Sequence, residues 1–202
     1  MPKTTKMKTY PVLLVPGTSG IAYPYWDKMM WRLAWDRFHA YAMNLPLFAV
    51  GDIKLSAEAV QKEVDRILYE TGANKINLVG HSMGGYIIRY YIKYLGGINK
   101  VHNCVTLGTP HHGTYSAYLA YVFTAMKQIV PGSEFLAELN GDNETPGDIN
   151  YTSLYSMTDE CCVPQTSCYL EGADNKYVLL CGHLGLLLDY RIYKWTREAL
   201  LK

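Results

Sequence analysis

Nothing in the 202-residue sequence reaches eighteen consecutive apolar residues, and the longest aromatic and aliphatic stretch, Tyr118 to Met126, is too short to cross a bilayer. A membrane-spanning helix is therefore not expected. Charge is also scarce, at 18% against a usual quarter, and the net charge is only +1. That excludes the basic footprint of a nucleic-acid binder. No C-x-x-C or H-E-x-x-H spacing is present, so no metal site is expected. Five cysteines (Cys104, Cys161, Cys162, Cys168 and Cys181) make an odd and modest set. Free thiols are expected rather than a disulfide framework, the alternative being one bridge from Cys168 to Cys161 or Cys162. Internal repeats and low-complexity linkers are missing as well. The N-terminus, MPKTTKMKTY, carries lysines at 3, 6 and 8 without a following apolar h-region, so no secretory signal is read there.

What is abundant is apolar and aromatic: 49% hydrophobic residues and 18 tyrosines. A chain of this length buries roughly 70% of its unfolded surface, enough for a core without covalent staples. Strand-like and helix-like patterns alternate, the signature of a mostly parallel sheet covered on both faces. We read strands at Tyr10–Val15, Tyr41–Leu45, Lys75–Val79, His102–Leu107, Asn150–Ser156 and Lys176–Leu180. Helical patterns fall at Tyr25–Phe38, at Ser56–Glu70 with Ser56 as N-cap, after Ser82 as far as Gly96-Gly97, and at Asp189–Leu201. These place one α/β domain over residues 10–202, behind a polar tail at 1–9. Residues 114–148 read as one or two helices followed by a loop.

The most informative stretch is KINLVGHSMGGYIIRY, where Gly80, His81, Ser82, Met83 and Gly84 form a G-x-S-x-G run between a strand and a helix. A serine hydroxyl is a weak nucleophile at neutral pH, so acyl-transfer sites hold it on a tight strand-to-helix turn beside an imidazole and backbone N–H donors. Glycines at 80 and 84 fit a turn with no room for Cβ atoms on either side of the serine. On a doubly wound sheet the acid and then the histidine follow the serine in sequence. Asp159, just past the strand at 150–156, and His183, past the strand at 176–180, meet that order at the carboxyl edge of the sheet.

Other side chains compete. His111 and His112 also follow a strand and rival His183 as the base, but they precede every candidate acid. His81 and His102 read as structural. Asp142, Asp148 and Asp174 lie between Ser82 and His183 in segments that read as solvated loops. The charge developing on a carbonyl oxygen calls for two aimed N–H donors. Met83, directly after the serine, supplies one, and Thr18 in the Gly-rich VPGTSG loop supplies the other. That loop lacks the lysine of a P-loop, which excludes nucleotide binding.

Five motifs in one order, VPGTSG, VGHSMGG, LGTPHHGT, YSMTDECCVP and GHLGLL, resemble those of the small bacterial triacylglycerol lipases of the α/β-hydrolase fold. The resemblance runs from about Tyr10 to Leu200. It implies a single-domain α/β-hydrolase fold with a mostly parallel sheet of about six strands and helices on both faces. It also implies a lipase with Ser82 as nucleophile, Asp159 as acid, His183 as base, Thr18 and Met83 as oxyanion donors, and no cofactor. The implied substrate is a small-molecule lipid or ester, met at an oil–water interface. A carboxylesterase for short soluble esters is the near alternative, and a non-catalytic lipid- or partner-binding module the distant one. Secretion is what the resemblance implies; a cytoplasmic protein is the other reading. Two departures stand out. Pro16 occupies a position where many relatives have histidine, and residues 114–148 are longer than in the smallest members. In that segment Tyr118, Tyr121, Val122, Ala125 and Ile129 form a stripe suited to a partial lid or an acyl-pocket wall.

Overall fold

The computed structural model describes residues 9–202, so the polar tail expected at 1–9 lies, apart from Thr9, outside the described residues. Six strands form one sheet, every neighbouring pair parallel: β1 (Val12–Val15), β2 (Ala40–Ala42), β3 (Ile76–His81), β4 (Val101–Leu107), β5 (Asn150–Ser156) and β6 (Asp174–Val178), in the order β2-β1-β3-β4-β5-β6. The α/β-hydrolase architecture read from the sequence is the one observed. Strands buried on both faces carry unbroken apolar runs, and β1, with all four residues buried, follows this rule.

Alternate residues of β1 serve opposite layers. Leu13 and Val15 join the core made with α2 (Ile53–Thr71) and α3 (Met83–Tyr94), along with α4 (Thr124–Gln128) and α5 (Glu134–Asn140). Val12 and Leu14 join the core made with α1 (Asp27–Trp35) and α6 (Tyr190–Leu200). Helix α2 buries Ile53, Ala57, Val60, Val64 and Ile67, a single stripe at helical spacing. It stops at Gly72, whose φ of 67° is a left-handed cap that needs no Cβ. Among the described residues, no helix is long and apolar enough to cross a membrane.

Several expected boundaries move. The α2 N-cap is Asp52, not Ser56: the Asp52 side chain accepts from Lys54 N at 2.9 Å, and Ser56 lies buried inside the helix. Strand β2 ends at Ala42: Met43 N makes the last contact with β1, at 3.4 Å from the Leu14 carbonyl, and Leu45 N turns to the Gly20 carbonyl. Strand β6 covers 174–178, and Leu179 and Leu180, which read as strand, are exposed.

The chain runs from β1 outward to β2 and then crosses back to β3 on the other side of β1. The sheet order therefore reverses between β1 and β3. At such a reversal the loops leaving the two carboxyl ends part and open a crevice. Those loops carry Thr18 and Ser82.

Asp52 also accepts from Gln128 Nε2 at 2.8 Å, joining the start of α2 to α4. Asp52→Ala is expected to cost about 1–2 kcal/mol, lowering Tm by roughly 2–8 °C in a chain of this size. Scanning calorimetry checks this, and an unchanged Tm would show that the cap contributes nothing.

Candidate active site

The turn between β3 and α3 places Ser82 at φ 54° and ψ −121°, a left-handed conformation unusual for any residue but glycine. Such a backbone costs on the order of 1–3 kcal/mol and persists only where its surroundings dictate it. Here they do. Ser82 N donates to the Leu107 carbonyl at 2.8 Å, and the Ser82 carbonyl accepts from Thr109 Oγ1 at 2.8 Å and from Gly85 N at 3.1 Å. A Cβ on Gly80 would lie 2.6 Å from the Gly84 carbonyl carbon, and one on Gly84 would meet the Val15 carbonyl. Gly17 is just as constrained, since a Cβ there would stand 2.8 Å from both Ser82 Cβ and the Tyr25 hydroxyl.

Loops after β5 and β6 bring Asp159 and His183 together. His183 Nδ1 donates to Asp159 Oδ2 at 2.7 Å and to Oδ1 at 2.9 Å, in a buried pair. Two backbone donors steady the carboxylate, Cys161 N at 2.9 Å and Cys162 N at 3.1 Å, both on Oδ1. Burial works against the Asp159 charge, but its partner His183 and those amides outweigh it and hold its pKa below the ordinary carboxylate value. For His183 burial again opposes charge, while the bond to Asp159, helped by Cys162, lifts its pKa above the usual imidazole range. The His183 amide donates to Glu160 Oε2 at 3.0 Å, fixing the histidine loop from its backbone.

Ser82, His183, Thr18 and Met83 all line one cavity of about 340 Å³. Its remaining wall includes Tyr86, Pro110, Ala117, Met126 and Ile129 on the apolar side. Met83 opens α3, so its N–H is one of the donors that a helix start leaves without an intrahelical partner. Ser82 Oγ makes no hydrogen bond to the described residues; such contacts are often open before substrate arrives.

The rival groups are committed elsewhere. His111 is buried, accepts from Arg89 Nη1 at 3.2 Å and bonds Thr106 Oγ1 at 3.0 Å. Burial and the Arg89 charge push its pKa down, so it stays neutral. His112 pairs with Glu144 at 2.8 Å, and Asp174 with Lys176 and Lys202. Asp142 and Asp148 do not line the cavity. The five cysteines are free thiols. Of the stripe in 114–148, Ala125 and Ile129 are buried, whereas Tyr118, Tyr121 and Val122 are exposed. Four contributors escaped the sequence reading: Thr109, Glu160, Tyr25 and the hydrogen-bonding role of His81. Thr109, Glu160 and His81 lie inside the LGTPHHGT, YSMTDECCVP and VGHSMGG motifs, whereas Tyr25 lies outside all five.

A doubly wound parallel sheet with a strained serine turn at its switch point, facing a buried His–Asp pair, defines the class of α/β proteins built around a nucleophile elbow. Residues 10–130 match the family described as alpha/beta hydrolase fold, and the chain belongs to that family. A triacylglycerol lipase of Pseudarthrobacter phenanthrenivorans is 34% identical over 111 residues, covering 52% of this chain and 34% of that protein. Lipase B of Pseudozyma antarctica is 25% identical over 209 residues, 94% of this chain and 61% of its own. The chain thus spans from about a third to three fifths of these relatives' lengths. Among solved structures, Aspergillus fumigatus lipase B superposes with a TM-score of 0.85 at 22% identity, over 98% of this chain and 54% of that one. A mature Bacillus licheniformis lipase gives 0.79 at 18%, over 95% and 92%. At those identities the likeness is one of fold.

By NMR titration, the His183 imidazole is expected to lose its proton with a midpoint above the ordinary value of about 6.5. In Asp159→Asn the midpoint should fall to that value or lower. Equal midpoints in the two proteins would mean that Asp159 does not set the basicity of His183.

Proposed function

We propose that the chain is a carboxylic ester hydrolase of the lipase type, cleaving fatty-acyl esters such as triacylglycerols through an acyl-enzyme on Ser82. The observation that carries this reading is the convergence of Ser82, His183, Thr18 and Met83 on one cavity, with Asp159 hydrogen-bonded behind the imidazole. His183 Nε2 takes the Ser82 proton as Oγ attacks the ester carbonyl. The oxyanion is received by the N–H groups of Thr18 and Met83, both residues of the cavity wall. Collapse expels the alcohol, protonated by His183, and leaves the acyl group on Ser82. Water then attacks the acyl carbonyl as His183 takes its proton, and the second tetrahedral intermediate collapses to release the fatty acid while His183 returns that proton to Ser82 Oγ. Throughout, Asp159 holds the ring in one tautomer and stabilises its charged form.

Lipid substrates are favoured by three features. The cavity wall of Ala117, Met126 and Ile129 is apolar. Nearby in the chain, within residues 115–123, Tyr115, Tyr118, Leu119, Tyr121, Val122 and Phe123 are all exposed, which suits contact with an aggregated ester phase. The relatives above also bear lipase names. Residues 114–148 would act as the acyl-pocket wall and outer rim, with Ile129 setting depth.

Hydrolysis of p-nitrophenyl esters from short to long acyl chains tests the reading. Ser82→Ala should lose on the order of 10⁴-fold or more in turnover while folding normally, and turnover retained in that variant would sink the mechanism. Separately, Ile129→Phe should lower the rate on long chains relative to short ones by roughly tenfold. An unchanged chain-length profile would remove Ile129 from the pocket floor.

A further inference from the structure

His81 sits directly before the nucleophile, fully buried, and the reaction just described gives it no part. Its two ring nitrogens are nonetheless both engaged with groups from other loops. Nδ1 lies 2.5 Å from the Tyr25 hydroxyl, and Nε2 lies 3.1 Å from the backbone carbonyl of His183. The Tyr25 oxygen also receives the Gly17 N–H at 3.2 Å.

Only one distribution of protons satisfies all three contacts. A carbonyl can only accept, so His81 Nε2 carries the hydrogen and donates to His183 O. In a neutral imidazole Nδ1 must then accept, and the Tyr25 O–H supplies that bond. The Tyr25 oxygen is left with lone pairs for the Gly17 amide. The direction runs from Gly17 through Tyr25 and His81 to His183 without a mismatched pair. Neutrality is enforced twice: burial, and then the proximity of His183, push the His81 pKa down to about 3. The two imidazole rings stand 4.5 Å apart, so a charge on His81 would oppose the imidazolium that forms on His183.

The chain joins the three loops whose relative placement the reaction needs. Gly17 precedes Thr18 in the oxyanion loop, His81 precedes Ser82 in the turn, and the accepting carbonyl belongs to the base itself. We propose that Tyr25 and His81 are positioning residues, a buried hydrogen-bonded relay that fixes the oxyanion loop and the His183 backbone against the Ser82 turn. The inference rests on the reaction proposed above. Misplacement by a fraction of an ångström at such a site lowers the rate without loosening ground-state binding.

The test is a set of single variants assayed on a short p-nitrophenyl ester and by covalent labelling with a serine-reactive phosphonate. Tyr25→Phe removes one hydroxyl and should lower kcat and the labelling rate about tenfold or more, with KM unchanged. His81→Gln keeps on one side chain a donor for the His183 carbonyl and an acceptor for the Tyr25 hydroxyl, and should retain most of kcat. His81→Leu keeps bulk but neither bond, and should fall at least as far as Tyr25→Phe. Wild-type kcat in Tyr25→Phe would overturn the relay, as would His81→Gln falling as far as His81→Leu. Should Tyr25→Phe fail to fold, the two His81 variants decide: kcat kept in His81→Gln and lost in His81→Leu supports the relay, and equal kcat in the two overturns it. Ser82→Ala run alongside separates the two readings. Turnover surviving in Ser82→Ala sinks the reaction itself, whereas a dead Ser82→Ala beside an unaffected Tyr25→Phe sinks the relay alone.

Discussion

The close approach of the Ser82 turn to the end of β1 is the constraint on which the rest of the site depends. A serine in a left-handed conformation is unfavourable by itself, and the surrounding backbone has to impose it. The imposition comes from steric fit as well as hydrogen bonds. Gly84 lies against the Val15 carbonyl and Gly80 against Gly84, so β1, β3 and α3 meet with no side chain between them. That contact brings the loop after β1 beside the first turn of α3. Thr18 and Met83 thereby reach the same cavity, although one is a loop residue and the other begins a helix.

Electrostatics completes what sterics begins. Two imidazoles and a carboxylate share a nearly dry volume, and the surroundings drive the rings in opposite directions. Asp159 raises the basicity of His183, whereas His81, with no carboxylate against it, is kept neutral by burial. A buried pair of this kind is stable only when its remaining lone pairs are used. Asp159 meets that condition through the Cys161 and Cys162 amides, which makes the loop after β5 a support for the pair as well as the carrier of its acid.

How much of this could be read from the chain depends on the range of each interaction. The serine turn was legible because its requirements are local: glycines two positions either side, an apolar strand before and a helical pattern after. The meeting of Asp159 and His183 was legible from their place after predicted strands, and the six-stranded parallel sheet from alternation. The failures trace to contacts between distant parts of the chain. Ser56 is a good cap by type, but Asp52 takes the position because its carboxylate also reaches Gln128. Leu179 and Leu180 are apolar enough for a strand, yet the ladder with β5 stops at Val178. Tyr25 and His81 lie 56 positions apart, and no periodicity or motif links a tyrosine in a loop to a histidine at the end of a strand. Their partnership exists only once the sheet has assembled.

That dependence on assembly extends to the order in which the protein can form. Every strand pairing is parallel, so none can arise from a tight hairpin, and each waits for a crossover to be made and packed. The Ser82 turn draws one support from β1 and another from Leu107 at the end of β4, while Gly108 in turn leans on Leu154 of β5. A nascent chain that stops before β4 therefore holds an ordinary serine in a relaxed backbone. The strained geometry of that turn is a late product of folding, reached only when strands from both sides of the chain's midpoint are in register.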